Sequence, residues 1–276
     1  MPFASTHGSK VEYFETGTGP GLVLVHGTGG DAGTYDQLRD TFSDRRTVVV
    51  PNYSGSGATE DEGGPLTLDL LIAQIDAAIE DSSAEGPVDL LGWSQGALAV
   101  AAYTAVHPEK VRRLVLLTGW IKNDARQQLY FDLWHRLDQL DHETFGRFLQ
   151  LNGWTTQQVN SFGVAGVEEM VSGGVPAGIG RQIALNLELD ITEYLPRITA
   201  PTLVIGATHD NMIPVEHSRA LHAAIKGSRY AELEAGHFAV FEKPAELAEL
   251  VQEFLEADDT AGTDGTEGEA AATAAA

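Results

Sequence analysis

A serine lies at the centre of the pentapeptide Gly92-Trp93-Ser94-Gln95-Gly96. This G-x-S-x-G spacing follows an apolar run that predicts a strand, and it precedes a segment that predicts a helix from Ala97 to Val106. On a tight turn between a strand and a helix, the serine hydroxyl projects above the edge of the sheet. Glycine on either side of the turn lets the two elements approach each other closely. The pattern is typical of a serine nucleophile that attacks a carbonyl carbon.

Such a serine needs a base to take its proton, and the base needs an acid to orient it. His237 follows the last predicted strand, so we expect it at the same edge of the sheet as Ser94. Asp210 follows the predicted strand Thr202–Gly206, and the chain order Ser, Asp, His fits a triad of Ser94, Asp210 and His237. Asp124 follows an earlier strand and is the alternative acid.

Two backbone amides are candidates for binding the negative oxygen that forms during the attack. The amide of Gln95 lies at the start of the helix, where N–H groups lack partners within the helix. The amide of Thr28 lies in His26-Gly27-Thr28-Gly29-Gly30, which follows the apolar run Leu22–Val25. These glycines could also cradle a phosphate, but the G-x-G-x-x-G spacing and the Walker lysine are missing. We therefore expect an oxyanion hole formed by Thr28 and Gln95.

The composition narrows the class of protein. The chain has 276 residues, of which 43% are hydrophobic, and this suits a single α/β domain that carries an insertion. It has no cysteine, which excludes disulfides and Cys-ligated zinc, and it has no H-E-x-x-H motif. We therefore expect neither a metal nor an organic cofactor.

The net charge of the chain indicates which kinds of partner it can bind. The chain has 17 basic and 40 acidic residues and a formal net charge of −23, which repels nucleic-acid phosphates and anionic lipids. We expect a small-molecule substrate, no nucleic-acid or membrane partner, and a monomer or homodimer. The N-terminus shows no basic, apolar leader, so the cytoplasm is the expected compartment.

Predicted strands and helices alternate along most of the chain, and they include a first strand at Lys10–Glu15, a helix at Gly33–Phe42 and a strand at Val111–Leu117. The strands are continuously apolar, as in a parallel sheet that is covered on both faces. The alternation stops between Ile121 and Pro196, where the sequence is helical and rich in aromatic residues. We predict an α/β core in two parts, at 1–120 and 197–256, with a helical cap at 121–196. Residues 257–276 are all Ala, Gly, Thr, Asp or Glu, so a disordered tail is expected there.

Together these motifs resemble the α/β-hydrolase fold superfamily. The resemblance rests on the Ser94 pentapeptide, His26-Gly27, Asp210 with Pro214, and Gly236-His237, and it extends over residues 9–256. It points to the branch that holds small esterases, enol-lactonases, carbon–carbon bond hydrolases and cofactor-free haloperoxidase-like enzymes. It implies a mostly parallel, doubly wound sheet of eight strands, with the substrate pocket between the core and the cap.

One loop departs from that family's pattern. Members often have Asp-x-Arg-Gly-x-Gly-x-Ser after the strand that ends near Pro51, whereas this chain has Asn52 and Ser54 in place of the aspartate and the arginine. The role of the loop from Asn52 to Thr59 is therefore open.

The resemblance and the aromatic residues together suggest the kind of pocket. We expect its walls to include His26, Trp93, Trp120, Trp134 and Trp154, which favours a small apolar or aromatic substrate. Trp93 flanks the nucleophile directly. The aromatic residues of the cap have an alternative role, which is to pack the cap against the core.

The function expected is hydrolysis of an ester, a lactone or a similar acyl bond through an acyl-enzyme on Ser94. Two alternatives stay open. One is a lyase, cyclase or cofactor-free oxygenase that uses the His–Asp dyad as a base, and the other is a non-catalytic receptor for a small ligand. An enzyme that uses only the dyad would tolerate loss of Ser94 but not loss of His237.

Overall fold

A computed structural model describes residues 1–6 and 8–257. In this part of the chain, eight strands form one sheet in the order β1-β2-β4-β3-β5-β6-β7-β8. The strands are β1 (Phe3–Thr6), β2 (Ser9–Thr16), β3 (Gly21–Val25), β4 (Thr47–Pro51), β5 (Val88–Trp93), β6 (Val111–Leu117), β7 (Thr202–Ala207) and β8 (Arg229–Leu233). The pairs β1–β2 and β2–β4 are antiparallel and the other five are parallel. The predicted α/β class, with a mostly parallel eight-stranded sheet, is confirmed.

Helices connect the parallel strands and cover the sheet. They are α1 (Asp36–Phe42), α2 (Leu68–Asp81), α3 (Gln95–Val106), α4 (Ala125–Leu140), α5 (His142–Gly153), α6 (Thr156–Ser172), α7 (Ile179–Glu188), α8 (Val215–Ala224), α9 (Ala239–Glu242) and α10 (Pro244–Glu256). Helix α6 is interrupted at Gly163, where φ is +65°. No helix among the described residues is long and apolar enough to cross a membrane.

The centre of the molecule is formed by β5 and α3. Every residue of β5 is buried, and α3 is buried from Gln95 to Ala105. A helix that is apolar on all sides belongs inside a protein, and small residues such as Ala97, Ala99 and Ala101 let this one lie close to the sheet. The turn between β5 and α3 is therefore held on both sides by close packing.

Helices α4 to α7 lie between β6 and β7, within the segment predicted as a cap, and we call these four helices the cap. Aromatic rings join α4 to α5 inside it: the centroids of Tyr130 and Phe148 are 5.5 Å apart, and those of Trp134 and Phe145 are 6.0 Å apart. Phe131, Trp134 and Phe145 belong to the same buried cluster as residues on one face of the sheet, so the cap and the sheet share a continuous core.

Three details differ from the sequence predictions. Strand β1 was not predicted, because only Ala4 of its four residues is buried and its apolar pattern is weak. The helix predicted from Gly33 begins at Asp36, and a 3₁₀ turn at Ala32–Tyr35, capped by Asp31, precedes it. The predicted tail at 257–276 lies outside the described residues except for Ala257.

Candidate active site

The turn that carries Ser94 has a constrained backbone. Ser94 has φ +56° and ψ −123°, a conformation that residues with a side chain rarely adopt. A Cβ atom on Gly96 would lie 2.2 Å from the carbonyl oxygen of Val25, and one on Gly92 would lie 2.3 Å from that of Gly96. Only glycine fits at these two positions, and the close packing around the turn maintains the strain at the serine.

Ser94, His237 and Asp210 form a continuous hydrogen-bonded chain. His237 Nε2 lies 2.9 Å from Ser94 Oγ, and His237 Nδ1 lies 2.7 Å from Asp210 Oδ2. All three residues are buried. Since an ionised carboxylate only accepts, Nδ1 carries the proton and Nε2 is free to accept from the serine hydroxyl. This arrangement is suited to removing a proton from Ser94.

The Asp210 carboxylate is fixed by its own loop. Its Oδ1 atom accepts hydrogen bonds from the backbone amides of Met212, at 2.8 Å, and Ile213, at 2.7 Å. Asp124, the alternative acid, occupies a different kind of position. It is the N-cap of α4 and accepts from the amide of Gln127 at 2.8 Å, and its side chain is 58% exposed. Of the two candidate acids, Asp210 is therefore the one that is hydrogen-bonded to His237.

The loop from Gly27 to Gly30 passes directly over the serine. A Cβ atom on Gly27 would lie 2.9 Å from the Cβ atom of Ser94, so this loop reaches the nucleophile only because residue 27 is glycine. Thr28 follows in this loop, and Gln95 is the first residue of α3. The two residues predicted to form an oxyanion hole thus flank Ser94.

His26 is held below this loop and is not free to act as a base. It is fully buried, its ring stacks on that of Tyr53 with centroids 4.1 Å apart, and Nδ1 donates to the Gly27 carbonyl at 2.8 Å. Burial lowers its pKa to about 4, so the ring is neutral near pH 7. His26 therefore supports the loop over Ser94, and its predicted contact with substrate stays a prediction.

The four tryptophans predicted for the pocket lie in different surroundings. Trp93 donates from Nε1 to the His237 carbonyl at 3.0 Å, and its ring centroid lies 5.5 Å from that of His237. Trp154 packs on Phe238, with centroids 5.3 Å apart. Trp120, which follows β6, and Trp134 of α4 are both buried against Phe131. Among the four, Trp93 and Trp154 therefore border the histidine loop, and the substrate contacts of all four stay predictions.

A cavity of about 290 Å³ lies beside the loop over the serine. Its lining residues are Thr28, Gly29, Gly30, Asp31, Gly33, Thr34, Trp93 and Phe241. A larger polar cleft of about 760 Å³ borders Asp210, and neither Ser94 nor His237 lines either space. The smaller cavity is thus the one that combines a residue of the predicted oxyanion hole with the tryptophan next to the nucleophile.

The sequence did not predict the hydrogen bonds from the cap to the loops that carry or cover Ser94, Asp210 and His237. Arg126 of α4 donates to the carbonyl of Asn211, at 2.5 Å, in the loop of Asp210. The carbonyl of Gly153 accepts from the amide of Phe238, at 2.9 Å, in the loop of His237. Gln182 and Asn186 of α7 bond the loop over Ser94. Both are buried although polar, and polar residues on the buried stripe of an amphipathic helix were the available signal.

Comparison with known proteins agrees with this geometry. Residues 22–250 match the model of the Alpha/beta hydrolase family. The chain belongs to the Alpha/beta hydrolase family. It is 39% identical over 257 residues to pyrrolizixenacetamide deacetylase of Xenorhabdus hominickii, a match that covers 91% of this chain and 96% of that protein.

Two further relatives are more distant. The chain is 26% identical over 253 residues to a pimeloyl-[acyl-carrier protein] methyl ester esterase of Xanthomonas oryzae pv. oryzae, covering 87% of this chain and 96% of that one. The enol-lactonase from Burkholderia xenovorans LB400 has the same fold, with a TM-score of 0.83 and 22% identity over 92% of this chain and 99% of that one. The curated relatives are hydrolases, which confirms the predicted enzyme class.

Proposed function

We propose that this protein is a serine hydrolase that transfers an acyl group from a small molecule to water through an acyl-enzyme on Ser94. The observation that carries the proposal is the hydrogen-bonded chain from Ser94 through His237 to Asp210, beneath a loop that Gly27 allows to approach the serine.

The mechanism follows from the direction of these hydrogen bonds. His237 Nε2 takes the proton of the Ser94 hydroxyl as Oγ bonds to the substrate's carbonyl carbon, and Asp210 stabilises the imidazolium that results. The amides of Thr28 and Gln95 bind the oxygen that becomes negative. His237 then gives the proton to the leaving oxygen or nitrogen, that bond breaks, and a water molecule activated by the same histidine releases the acyl group as a carboxylate.

The substrate class rests on the relatives and on the cavity. The name of the protein that is 39% identical describes removal of acetyl from an acetamide. The cavity beside the predicted oxyanion hole is small, at about 290 Å³, and has apolar walls at Trp93 and Phe241. We therefore propose a short acyl group, such as acetyl, carried on the nitrogen or oxygen of a small apolar molecule.

A fluorophosphonate probe followed by intact-mass measurement tests the nucleophile. We expect one adduct on the wild-type protein and none on Ser94→Ala, because the probe reacts only with an activated serine. Hydrolysis of p-nitrophenyl acetate and of p-nitroacetanilide would then be compared with that of the octanoate ester, and the acetyl compounds should be turned over faster.

Comparison of Ser94→Ala with His237→Ala separates this proposal from catalysis by the dyad alone. An acyl-enzyme mechanism requires both residues, so both variants should lose at least about 10³-fold in kcat/KM. If Ser94→Ala keeps full turnover while His237→Ala does not, the acyl-enzyme is wrong and the dyad is the base of a different reaction.

A further inference from the structure

One side chain of the cap is hydrogen-bonded to both residues of the proposed oxyanion hole. Asn186 Nδ2 donates to Thr28 Oγ1 at 2.8 Å, and Asn186 Oδ1 accepts from Gln95 Nε2 at 2.7 Å. Asn186 is 1% exposed, and its bond to Gln95 is fully buried. The two loops that flank Ser94 come from different parts of the sequence, and this single amide joins their side chains.

The neighbouring groups fix which end of each amide is oxygen. Gln95 Nε2 also faces the carbonyl of Gln182 at 2.8 Å, and a carbonyl can only accept. The atom of Asn186 that meets Nε2 must therefore be the oxygen, which leaves Nδ2 to donate to the Thr28 hydroxyl. The Tyr53 hydroxyl donates to the remaining oxygen of Gln95 at 2.9 Å, so the side chain of Gln95 is held at both ends.

Gln182 lies one helical turn before Asn186 and holds the same loop one residue further on. Its Oε1 atom accepts from the amide of Gly29 at 2.7 Å, and its Nε2 atom donates to Ser56 Oγ at 2.9 Å and to the Ser54 carbonyl at 3.1 Å. Residues at i and i+4 share one helix face, so a single face of α7 bonds the loop over Ser94, the turn of the serine, and the loop after β4.

We propose that Asn186 is a positioning residue that sets the distance and direction between the two oxyanion-binding amides. The proposal rests on the function proposed above. Oxyanion donors act only when they are already aimed at the charge that develops, and removing one costs about 10²–10³ in rate. Loss of the Asn186 amide leaves both donors present but less well aligned. We therefore expect a smaller effect, a fall of about 10- to 100-fold in kcat with little change in KM.

The test uses Asn186→Leu, which has a similar volume but no hydrogen-bonding group, and the pair Thr28→Val and Thr28→Ser. An alkyl trifluoromethyl ketone is the probe, because Ser94 adds to it and the ionised hemiketal places an oxyanion in the hole. Asn186→Leu and Thr28→Val should weaken binding of the ketone in proportion to the fall in kcat, and Thr28→Ser should recover most of that loss. The double variant Asn186→Leu/Thr28→Val should be no worse than the more affected single variant, since both remove the same bond.

Asn123→Leu is the matched control. Asn123 Nδ2 donates to the carbonyls of Asn186, at 2.8 Å, and Leu187, at 3.2 Å, so it ties the same helix without touching Thr28 or Gln95. It should lower the melting temperature but leave the affinity for the ketone unchanged.

The outcomes separate the two proposals. If the wild-type protein neither reacts with the fluorophosphonate nor hydrolyses an acetyl compound, the proposed function fails and this inference falls with it. If the wild type does both but Asn186→Leu binds the ketone as the wild type does, or Asn123→Leu weakens binding equally, Asn186 only holds the cap in place. Should Asn186→Leu fail to fold, equal binding of the ketone by Thr28→Val and Thr28→Ser overturns the proposal.

Discussion

At the scale of single residues, two aspartates that look alike in the sequence have different environments. Asp210 is buried and shares its two oxygens between His237 and two backbone amides. Asp124 is exposed and caps a helix. Asp210 is therefore the aspartate that orients the imidazole of His237 and places a carboxylate beside it.

Asp210→Asn should lower kcat/KM by about 10³–10⁴-fold, because the amide keeps the shape of the carboxylate but favours the wrong tautomer of His237 and leaves the imidazolium unstabilised. Asp124→Asn is the control and should stay within a few-fold of the wild type, since asparagine is also a good N-cap. Hydrolysis of p-nitrophenyl acetate measures both variants, and equal losses in the two would contradict this assignment of the acid.

The buried His26 should make stability depend on pH. Its pKa is about 4 in the folded protein, lowered by burial from 6.5, so between these values the unfolded chain binds more protons than the folded one. The contribution to the free energy of unfolding is complete above pH 6.5 and is lost as the pH falls to about 4, by at most about 1.4 kcal/mol per pH unit.

Urea unfolding between pH 4 and 7 measures this dependence, and His26→Asn is the comparison because it does not titrate there. The difference in free energy of unfolding between wild type and His26→Asn should shrink as the pH falls. A difference that stays constant over this range would show that His26 is not the group responsible.

At the scale of elements, each cap helix other than α6 contributes a hydrogen bond to one of the loops that carry the proposed active-site residues. Helix α4 bonds the loop of Asp210, the end of α5 bonds the loop of His237, and α7 bonds the loop over Ser94. The turn between α5 and α6 adds a further contact, because Glu242 accepts from the amides of both Thr155 and Gly236. The cap therefore fixes the positions of the loops around Ser94, Asp210 and His237 through hydrogen bonds.

The start of α7 depends on close backbone contact with the loop after β4. A Cβ atom on Gly178 would lie 2.3 Å from the Cα atom of Gly55, whereas one on Gly173 would meet nothing within 4 Å. Gly178→Ala should therefore reduce the free energy of unfolding by about 1–3 kcal/mol through overpacking, and it should lower kcat because Gln182 shifts with the helix.

Gly173→Ala is the matched control, because both glycines have helical backbone angles that alanine adopts without strain. It should unfold within about 0.5 kcal/mol of the wild type and keep its kcat. Urea unfolding and steady-state kinetics of the two variants are the measurements, and equal effects would show that the contact with Gly55 is unimportant.

At the scale of the whole molecule, the carboxyl and amino ends of the parallel strands carry different kinds of residues. The residues proposed to act on substrate follow the carboxyl ends of β3, β5, β7 and β8. Towards the opposite edge, the fully buried Asp89 accepts from Arg46, at 2.5 Å, and from Arg112. Burial raises the pKa of Asp89 although two guanidinium groups face it. These ionic contacts join β5 to its surroundings away from the active site.

Asp89→Ala should lower the free energy of unfolding by about 3 kcal/mol, because it leaves two partly buried arginines without their carboxylate. The kcat of the folded variant should stay within about twofold of the wild type, since the change lies at the other edge of the sheet. Asp132→Ala removes an exposed ion pair with Arg136 and should cost less than about 1 kcal/mol. Chemical unfolding ranks the two variants, and a loss of kcat in Asp89→Ala would show that the edges are coupled.

The chain's local patterns predicted most of the core but not all of it. Strand Val111–Leu117 was predicted with the bounds that the structure has, because its apolar run follows a clear turn signal at Pro108. Strand β1 was missed because it gains its stability from pairing with β2, and a strand's own residues do not reveal its pairing.

The loop from Asn52 to Thr59 looked only like a departure from a family pattern. In the structure Asn52 accepts from Ala32, at 2.7 Å, while Ser54 and Ser56 bond the cap.

The sequence by itself determined the α/β order of elements, the turn at Ser94 and the placement of His237 at the same edge of the sheet, with Asp210 and Asp124 as two candidate acids. These follow from local properties, namely apolar periodicity, glycines that no other residue can replace, and the rule that parallel strands end at a common edge. Only the tertiary structure decided which of the two aspartates bonds His237, that His26 is buried and neutral, and that Asn186 lies between Thr28 and Gln95. Those facts depend on contacts between segments up to 158 residues apart, and no local pattern encodes which buried polar groups will become partners.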